Sequence, residues 1–513
     1  LYGLEQDCTI TATATPTTGT AVPATITETV QFALIPLFQF AIFYNMNLEI
    51  AAAQPLTIAG AVYSNGGIWT GSTALTFNYT VSAVGIATNC TADPFCTWSG
   101  GYSGSSPAKF NVANQPTSGN DTITMPIGTN NNPASVEAIV NIPPSTYAWG
   151  TSSGMTSTNG QLYLANEADL FLTNAYNGTN WGSSPPQGTN MYLYYQDADN
   201  GPNYETFLTN DFYLLKTGGT TNHVQTATSA GRDCITNVGY AGYSFLTNVL
   251  FYDWREGWHA GSGPAKAVQA VQIDLQLFNT WLTNNSPNGG SNYNVECLTD
   301  KSHPINSIYI YNAVPLTSTT LPAVRIVNGA KLPSNDGSSG FALATAQPTY
   351  VWGDLNASNS FGSDLGVNSD YYTEPCAIYA DAISILSDNW ADPGSTKKTG
   401  GPTATSTTIN AACLEGIVES TNNSASDAEG YSGGVENFMR LLENWGSATL
   451  TYNGSIVVMF PSQYATNCWQ QTGNYYSAPT RHWAFNTNFF IGNDLPPLTP
   501  KSQGVIRGTW GVY

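Results

Sequence analysis

Residues 430 to 445, "GYSGGVENFMRLLENW", contain Gly430, Ser432 and Gly434 in the G-x-S-x-G spacing of a hydrolase nucleophile elbow. An elbow needs a buried strand before the serine, and an acid and a histidine after it in chain order. Here a polar loop, "STNNSASDAEG", precedes Ser432, the only later histidine is His482, and the intervening acids are Glu436 and Glu443. The triad is therefore rejected, and the stretch is expected to be an amphipathic helix over 432–445. Ser432 would sit at or near its N-cap, with Val435, Phe438, Met439, Leu442 and Trp445 on one face and Glu436, Arg440 and Glu443 on the other.

Other groupings are weaker. Asp197 with Asp199, and Asp388 with Asp392, are the carboxylate pairs that could do acid/base hydrolysis of a polysaccharide. His223, His259, His303 and His482 stand apart in unrelated contexts. "DADNG" at 197–201 offers Asp197, Asp199 and Asn200 as hard-oxygen ligands. It departs from an EF-hand loop at its fifth, sixth and twelfth places, so a solvated turn is the expectation. "FYDWREGWH" at 251–259 gathers Asp253, Arg255, Glu256 and His259, and Arg255 is expected to make a structural ion pair. We assign no catalytic, cofactor-binding or metal-binding residue and read the chain as non-enzymatic.

The composition narrows the classes further. Of 513 residues only 9% are charged, against about 25% in ordinary soluble domains, so neutral hydrogen-bonding side chains supply the polarity. With 34 acidic and 14 basic residues, and no basic run longer than Lys397-Lys398, nucleic acid is excluded as a partner. So few cations also suit an acidic habitat, though ordinary export fits as well. The longest apolar run, "FALIPLFQFAIFY" at 32–44, is shorter than the ~20 residues of a membrane helix. The start at Leu1 without a basic region leads us to expect an export leader already removed.

Cys8, Cys90, Cys96, Cys234, Cys297, Cys376, Cys413 and Cys468 include no C-x-x-C pair, so structural disulfides outside the cytoplasm are expected, with Cys90–Cys96 as a local clip. Sequons at Asn78, Asn120, Asn177, Asn356 and Asn453 are frequent by chance in so Asn- and Thr-rich a chain.

These features must sit on a mainly β chain. Residues 9–34 alternate Thr with Ala, Val and Ile, as an extended arm that needs a partner edge in the same chain or in a neighbour. Short strand-turn-strand units recur at 47–87, 341–356, 375–390, 407–420 and 448–462. Such units stack as coils of a parallel β-helix-like solenoid, with β-sandwich domains as the alternative. The expected division is an N-terminal arm at 1–35, a first solenoid part at 36–130, a mixed α/β insertion at 131–335 and a second solenoid part at 336–513. Within the insertion, 268–277 reads as a strand that turns helical around Phe278, and 305–314 and 323–332 read as strands.

Several segments together, among them "FQFAIFYNMNLEI", "TMPIGTNNNPASVEAI", "PLTSTTLPAVRIVNGAKLP", "TLTYNGSIVVMFPSQYAT" and "PTRHWAFNTNFF", resemble a family of large exported bacterial proteins. Its members often carry a minor-pilin-like hydrophobic N-terminus and look β-helical, and the match runs over most of 30–513. That family has no assigned activity, so the resemblance implies export and a surface role and carries over no site residue. This chain lacks the hydrophobic N-terminal segment, which leaves open whether it was cleaved.

The combined expectation is a structural subunit of an extracellular filament, pilus-like fibre or surface layer, self-associating through strand pairing of the N-terminal arm. A glycan-binding adhesin, using some of its 13 Trp and 29 Tyr as stacking platforms, is the alternative, and a polysaccharide-active enzyme is third.

Overall fold

The computed structural model describes residues 4–19, 22–50, 55–71, 74–89, 108–128, 131–148, 152–174, 190–195, 212–216, 223–224, 245–257, 265–283, 305–333, 340–357, 373–396, 403–420, 432–467, 469 and 476–512. The fold is mainly β with many parallel pairs, and among the described residues no sheet closes on itself. No described helix is long and apolar enough to cross a membrane.

A twelve-stranded sheet is the largest element. Its parallel portion runs through Leu170–Asn174, Ser307–Tyr311, Phe341–Ala344, Cys376–Tyr379, Ala412–Ile417 and Ile456–Pro461. It then continues into Ile42–Tyr44, Val62–Ser64 and Val81–Ala83. Strands from the start of the chain thus stack onto the strand near its end. Antiparallel strands Asn190–Tyr195, Phe212–Lys216 and His223–Val224 extend the opposite edge.

A six-stranded sheet takes the second strand of each unit, through Lys266–Asp274, Thr320–Val327, Thr349–Trp352, Ile383–Leu386 and Arg440–Leu441 in parallel. Leu246–Asp253 closes its far edge in antiparallel fashion. A third ladder joins Thr407–Ile409, Thr449–Gly454 and Thr480–Phe485. The strands of the section read as an α/β insertion therefore hydrogen-bond into the same ladders as the later units.

Cys376–Tyr379 and Ile383–Leu386 are buried at every residue. Strands covered on both faces read as continuous apolar runs, as "AISIL" does, rather than alternating ones. At the corner after the third ladder, Asn356 Nδ2 donates to the Asn410 carbonyl and Asn410 Nδ2 to the Asn356 carbonyl, both at 2.9 Å. Buried backbone oxygens at the bend are thereby satisfied. Both sequons Asn356 and Asn453 are buried.

The arm takes its partner edge within the same chain: Leu4–Ala14 and Ala24–Pro36 form a hairpin, and Ala24–Pro36 also pairs antiparallel with Lys501–Val512. Three other expectations change. The helix at 432–445 is absent. Val435–Asn437 is a single 3-10 turn and Arg440–Leu441 is a strand on Ile383–Leu386. Of the residues assigned to a solvent face, Arg440 and Glu443 are buried and Glu436 is half-buried, so no solvent face forms and Arg440–Leu441 takes ladder bonds instead. Finally, Cys8, Cys376 and Cys413 are free thiols, the last two buried; the other five cysteines lie outside the described residues. The helix expected around Phe278 begins earlier, at Leu275–Thr283, because Asp274 Oδ1 accepts the N–H groups of Gln276 and Leu277 at 3.0 Å.

The closeness of the stacked units makes a prediction. A Cβ on Gly454 would lie 1.8 Å from the Ala411 carbonyl oxygen. Gly454→Ala should lower stability by roughly 2–3 kcal/mol through overpacking, whereas Gly492→Ala, with nothing within 4 Å of its Cβ position, should leave the thermal midpoint unchanged; calorimetry of both variants checks this.

Candidate functional site

Where the early strands stack on the late ones, only the largest sheet crosses. No ladder joins Arg440–Leu441 to Leu48–Ile50, or Thr480–Phe485 to Leu56–Ile58. A cavity opens at the first of these breaks, with about 400 Å³ of empty space counting its open mouth, and Tyr44, Glu49, Arg255, Ser432, Asn437 and Arg440 are in its wall.

Side chains take the place of the missing ladder. Glu49 Oε2 accepts the hydroxyls of Ser420 at 2.7 Å and Ser432 at 3.0 Å. The Ser432 N–H donates to Ser420 Oγ, and the Gly434 N–H to Ser432 Oγ, each at 3.0 Å. Gly433 and Gly434 have φ of +88° and +66°, a left-handed turn that suits glycine and brings this strap back over Leu48–Ile50. Ser432 is therefore a tie between the two ends of the chain. Among the described residues no histidine is in the cavity wall, and His482 is exposed on Thr480–Phe485.

Beneath the strap lies a buried ionic group. Asp253 accepts the Glu256 N–H at 3.1 Å and the Tyr350 hydroxyl at 2.6 Å, fixing the turn Trp254–Gly257 so that Arg255 and Glu256 point inward. Glu256 forms a buried ion pair with Arg440. Arg440 Nη1 also donates to the Ala465 carbonyl at 2.8 Å, and Asn467 Nδ2 donates to the Arg255 carbonyl at 2.7 Å. Asp381 accepts the N–H groups of Gln463, Tyr464 and Ala465, closing the loop that carries these carbonyls.

Burial governs the proton affinities. It raises Glu256 against the opposing pull of Arg440, and it raises Glu415 well above the carboxylate range. Arg255 is lowered to about 10, by burial first and by the charge of Arg440 second. Asp381 is raised to about 6 by burial although three N–H groups oppose it, and Glu443 to about 7 although Ser387 donates to it twice.

The candidates from sequence are thus scattered. Ser432 and Arg255 meet in one cavity. Arg255, however, has no ion-pair partner among the described residues: its Nε donates to the Asn467 carbonyl at 3.4 Å, and Arg440 holds the Glu256 carboxylate. Asp392 is bound bidentately by Arg325 at 2.6 and 3.0 Å, and Arg325 is itself stacked between Phe251 and Trp352. That geometry is structural, and Asp388 stands exposed beside it. Asp197, Asp199, Asn200, His259 and His303 lie outside the described residues. Sequence reasoning missed Glu49, Asp381 and Glu415, whose signal was a lone acid inside an apolar run, as in "NLEIA", "YADAI" and "CLEGI".

No protein-family model matches the chain. No curated protein matches it either. Among solved structures, the competence-associated pilin ComZ from Thermus thermophilus is similar over 99% of this chain and 84% of that one, at 9% identity and a TM-score of 0.30. A superposition that loose does not establish a shared fold.

Burial moves the proton affinities of Glu137, Glu256, Asp381, Glu415, Glu419 and Glu443 upward. Each holds its proton in the folded chain at a pH where the unfolded chain has released it, so acidification favours folding. The thermal midpoint should therefore rise as pH falls from about 7 toward 4.5, and Glu443→Gln should flatten the upper part of that rise. Calorimetry across the window checks both.

Proposed function

We propose that the protein is a structural subunit of an extracellular filament, pilus-like fibre or surface layer, with a β-helix-like solenoid as its body and the terminal sheet as its assembly surface. The parallel ladders support the solenoid reading, since strands of successive units stack in register on three faces. Sandwich domains would pair antiparallel instead.

The observation that carries the assembly reading is the three-stranded sheet of Leu4–Ala14, Ala24–Pro36 and Lys501–Val512. Ile26 lies opposite Val512, while Glu28 lies opposite both Ile10 and Trp510, so these residues share one face. On it Ile10, Ile26, Trp510 and Val512 are 55%, 49%, 72% and 58% exposed. Thr11, Thr13, Thr25 and Thr27 occupy the other face. Among the described residues Leu4–Ala14 has a strand partner on one side only, and Lys501–Val512 is paired on its outer side only where Gln503 bridges Thr124. Open edges with an apolar face are templates for another strand.

The end of the body is built differently. The Thr117 N–H donates to Val81 O and the Ala83 N–H to Thr117 O, both at 2.9 Å, which caps the last strand of the long sheet. Capping one edge and leaving another open concentrates association on the terminal sheet. Its two outer strands each run antiparallel to the central one, so they are parallel to each other. Translation of the sheet therefore sets unlike edges side by side, a heterologous contact that does not close and so extends as a fibre. The reading is non-enzymatic, with the Ser432 hydroxyl engaged by Glu49 and Gly434.

Negative-stain microscopy at neutral and acidic pH tests this. Filaments or sheets with a regular repeat are expected, and Ile10→Lys with Trp510→Lys should abolish them while the circular dichroism of the body is kept. Uniform monomers, or closed dimers, would overturn the open-ended assembly.

A further inference from the structure

Asn78, Asn120, Asn356 and Asn453 each begin an Asn-x-Ser/Thr sequon, and the fold treats them unequally. Asn356 Nδ2 donates to the Glu374 and Asn410 carbonyls at 2.8 and 2.9 Å, inside a corner where the residue is buried. Asn453 is buried as well. Asn120 Nδ2 donates to the Ala83 carbonyl at 2.9 Å and to Thr117 Oγ1 at 3.0 Å, as part of the cap on the long sheet. A substituent on any of these three nitrogens would have to displace packed atoms or a backbone contact.

Asn78 leads the turn Asn78-Tyr79-Thr80 between Leu75–Phe77 and Val81–Ala83, and all three turn residues are exposed. The turn is pinned, because the Asn78 N–H donates to the Ile58 carbonyl and the Val62 N–H to the Thr80 carbonyl, both at 2.9 Å. Asn111 Nδ2 donates to Asn78 Oδ1 at 2.7 Å and holds the side-chain amide in one orientation. Among the described residues nothing engages Asn78 Nδ2 or the Thr80 hydroxyl. These are the groups that N-glycosylation uses, the amide as acceptor and the hydroxyl for recognition. Beside the turn, Tyr79 is 44% exposed with its ring 6.5 Å from that of Phe490, and the next residue, Ile491, is 55% exposed. An apolar patch on the flank of a self-associating subunit invites lateral contacts unless something covers it.

We infer that Asn78 carries an N-linked glycan, added to the folded chain and lying over Tyr79 and Ile491. Transfer joins Asn78 Nδ2 to the anomeric carbon of a sugar held on a polyprenyl phosphate or diphosphate carrier. The bond from that carbon to the carrier oxygen breaks, the carrier leaves with the electron pair, and Nδ2 gives up one proton. On the folded chain a transferase reaches Asn78 while Asn356 and Asn453 are shielded. None of the residues at this site belongs to the terminal sheet, so the glycan leaves the assembly surface uncovered. The inference rests on the surface reading above, since export brings the chain to the transferase.

The test is peptide mass spectrometry of the full chain purified from its producing cells, with surface and intracellular fractions kept apart. In the surface fraction the peptide holding Asn78 should be heavier by a whole number of sugar residues, and those holding Asn120, Asn356 and Asn453 should not. Thr80→Ala should remove the added mass and Thr80→Ser should keep it; both retain the backbone carbonyl that accepts from Val62. A bare Asn78 in the surface fraction would overturn the site and leave the surface reading standing. A sugar that survives Thr80→Ala, or one found on Asn356 or Asn453, would overturn the site as well. A chain confined to the intracellular fraction with Asn78 bare would overturn both readings.

Discussion

Ile42, Phe43 and Tyr44 hydrogen-bond in parallel with Ile456, Val457 and Val458, from opposite ends of the chain. All six are buried. This short ladder makes one long sheet of two sets of strands that the chain produces separately. Around it Ser455 Oγ donates to the Phe40 carbonyl at 2.6 Å and Asn45 Nδ2 to the Met459 carbonyl at 3.2 Å. The loop-closure entropy of such a contact grows only logarithmically with chain length, so a few well-packed residues offset it. The same contact brings Ala24–Pro36 beside Lys501–Val512 and places Glu49 opposite the strap at Ser432.

In so charge-poor a chain, several of the buried charges lie where regular pairing fails. Arg440 and Glu256 meet at the end of the six-stranded sheet, Asp381 accepts a loop's N–H groups, and Glu443 satisfies Ser387. Each stands in for backbone partners that a further strand would supply. Burial taxes all of them, and removing one member of such a pair costs about 3–5 kcal/mol because the other is left uncompensated. They are consequently weak contributors to net stability and strong determinants of which arrangement forms. That division explains why carboxylates here are shifted upward even where they are well hydrogen-bonded.

The strand pairs were legible in the sequence because each unit is short, apolar and bounded by turn residues. Phe341–Ala344 with Thr349–Trp352, and Cys376–Tyr379 with Ile383–Leu386, fall within the expected units. Stacking order was not legible, since nothing in "FQFAIFY" says that it will pair with "SIVVMF" rather than with its sequence neighbours. The 432–445 segment was misread because helical spacing and burial on every side give the same apolar positions; only the burial of Arg440 and Glu443 separates the two. At the cavity, Ser432 was read as a helix N-cap and Arg255 as an ion-paired residue, and among the described residues the fold gives neither. Glu49 and Glu415 were overlooked because one acid in an apolar strand looks like an outward-facing residue.

The terminal sheet and the seam are mechanically continuous. Ser502 Oγ donates to the Ile35 carbonyl and the Leu37 N–H to the Pro500 carbonyl, both at 2.9 Å. Tyr379 donates its buried hydroxyl to the Pro497 carbonyl at 2.9 Å, and its ring lies 5.7 Å from that of Phe38. Tension on the exposed part of the sheet would thus load the hydrogen bonds of the Ala24–Pro36 and Lys501–Val512 ladder together, along the strands, before it reached the body. At the root it would meet Leu37 and Phe38, both fully buried and one short turn from Ile42–Tyr44. A subunit joined through this sheet would bear load on the same ladder that holds its own two ends together.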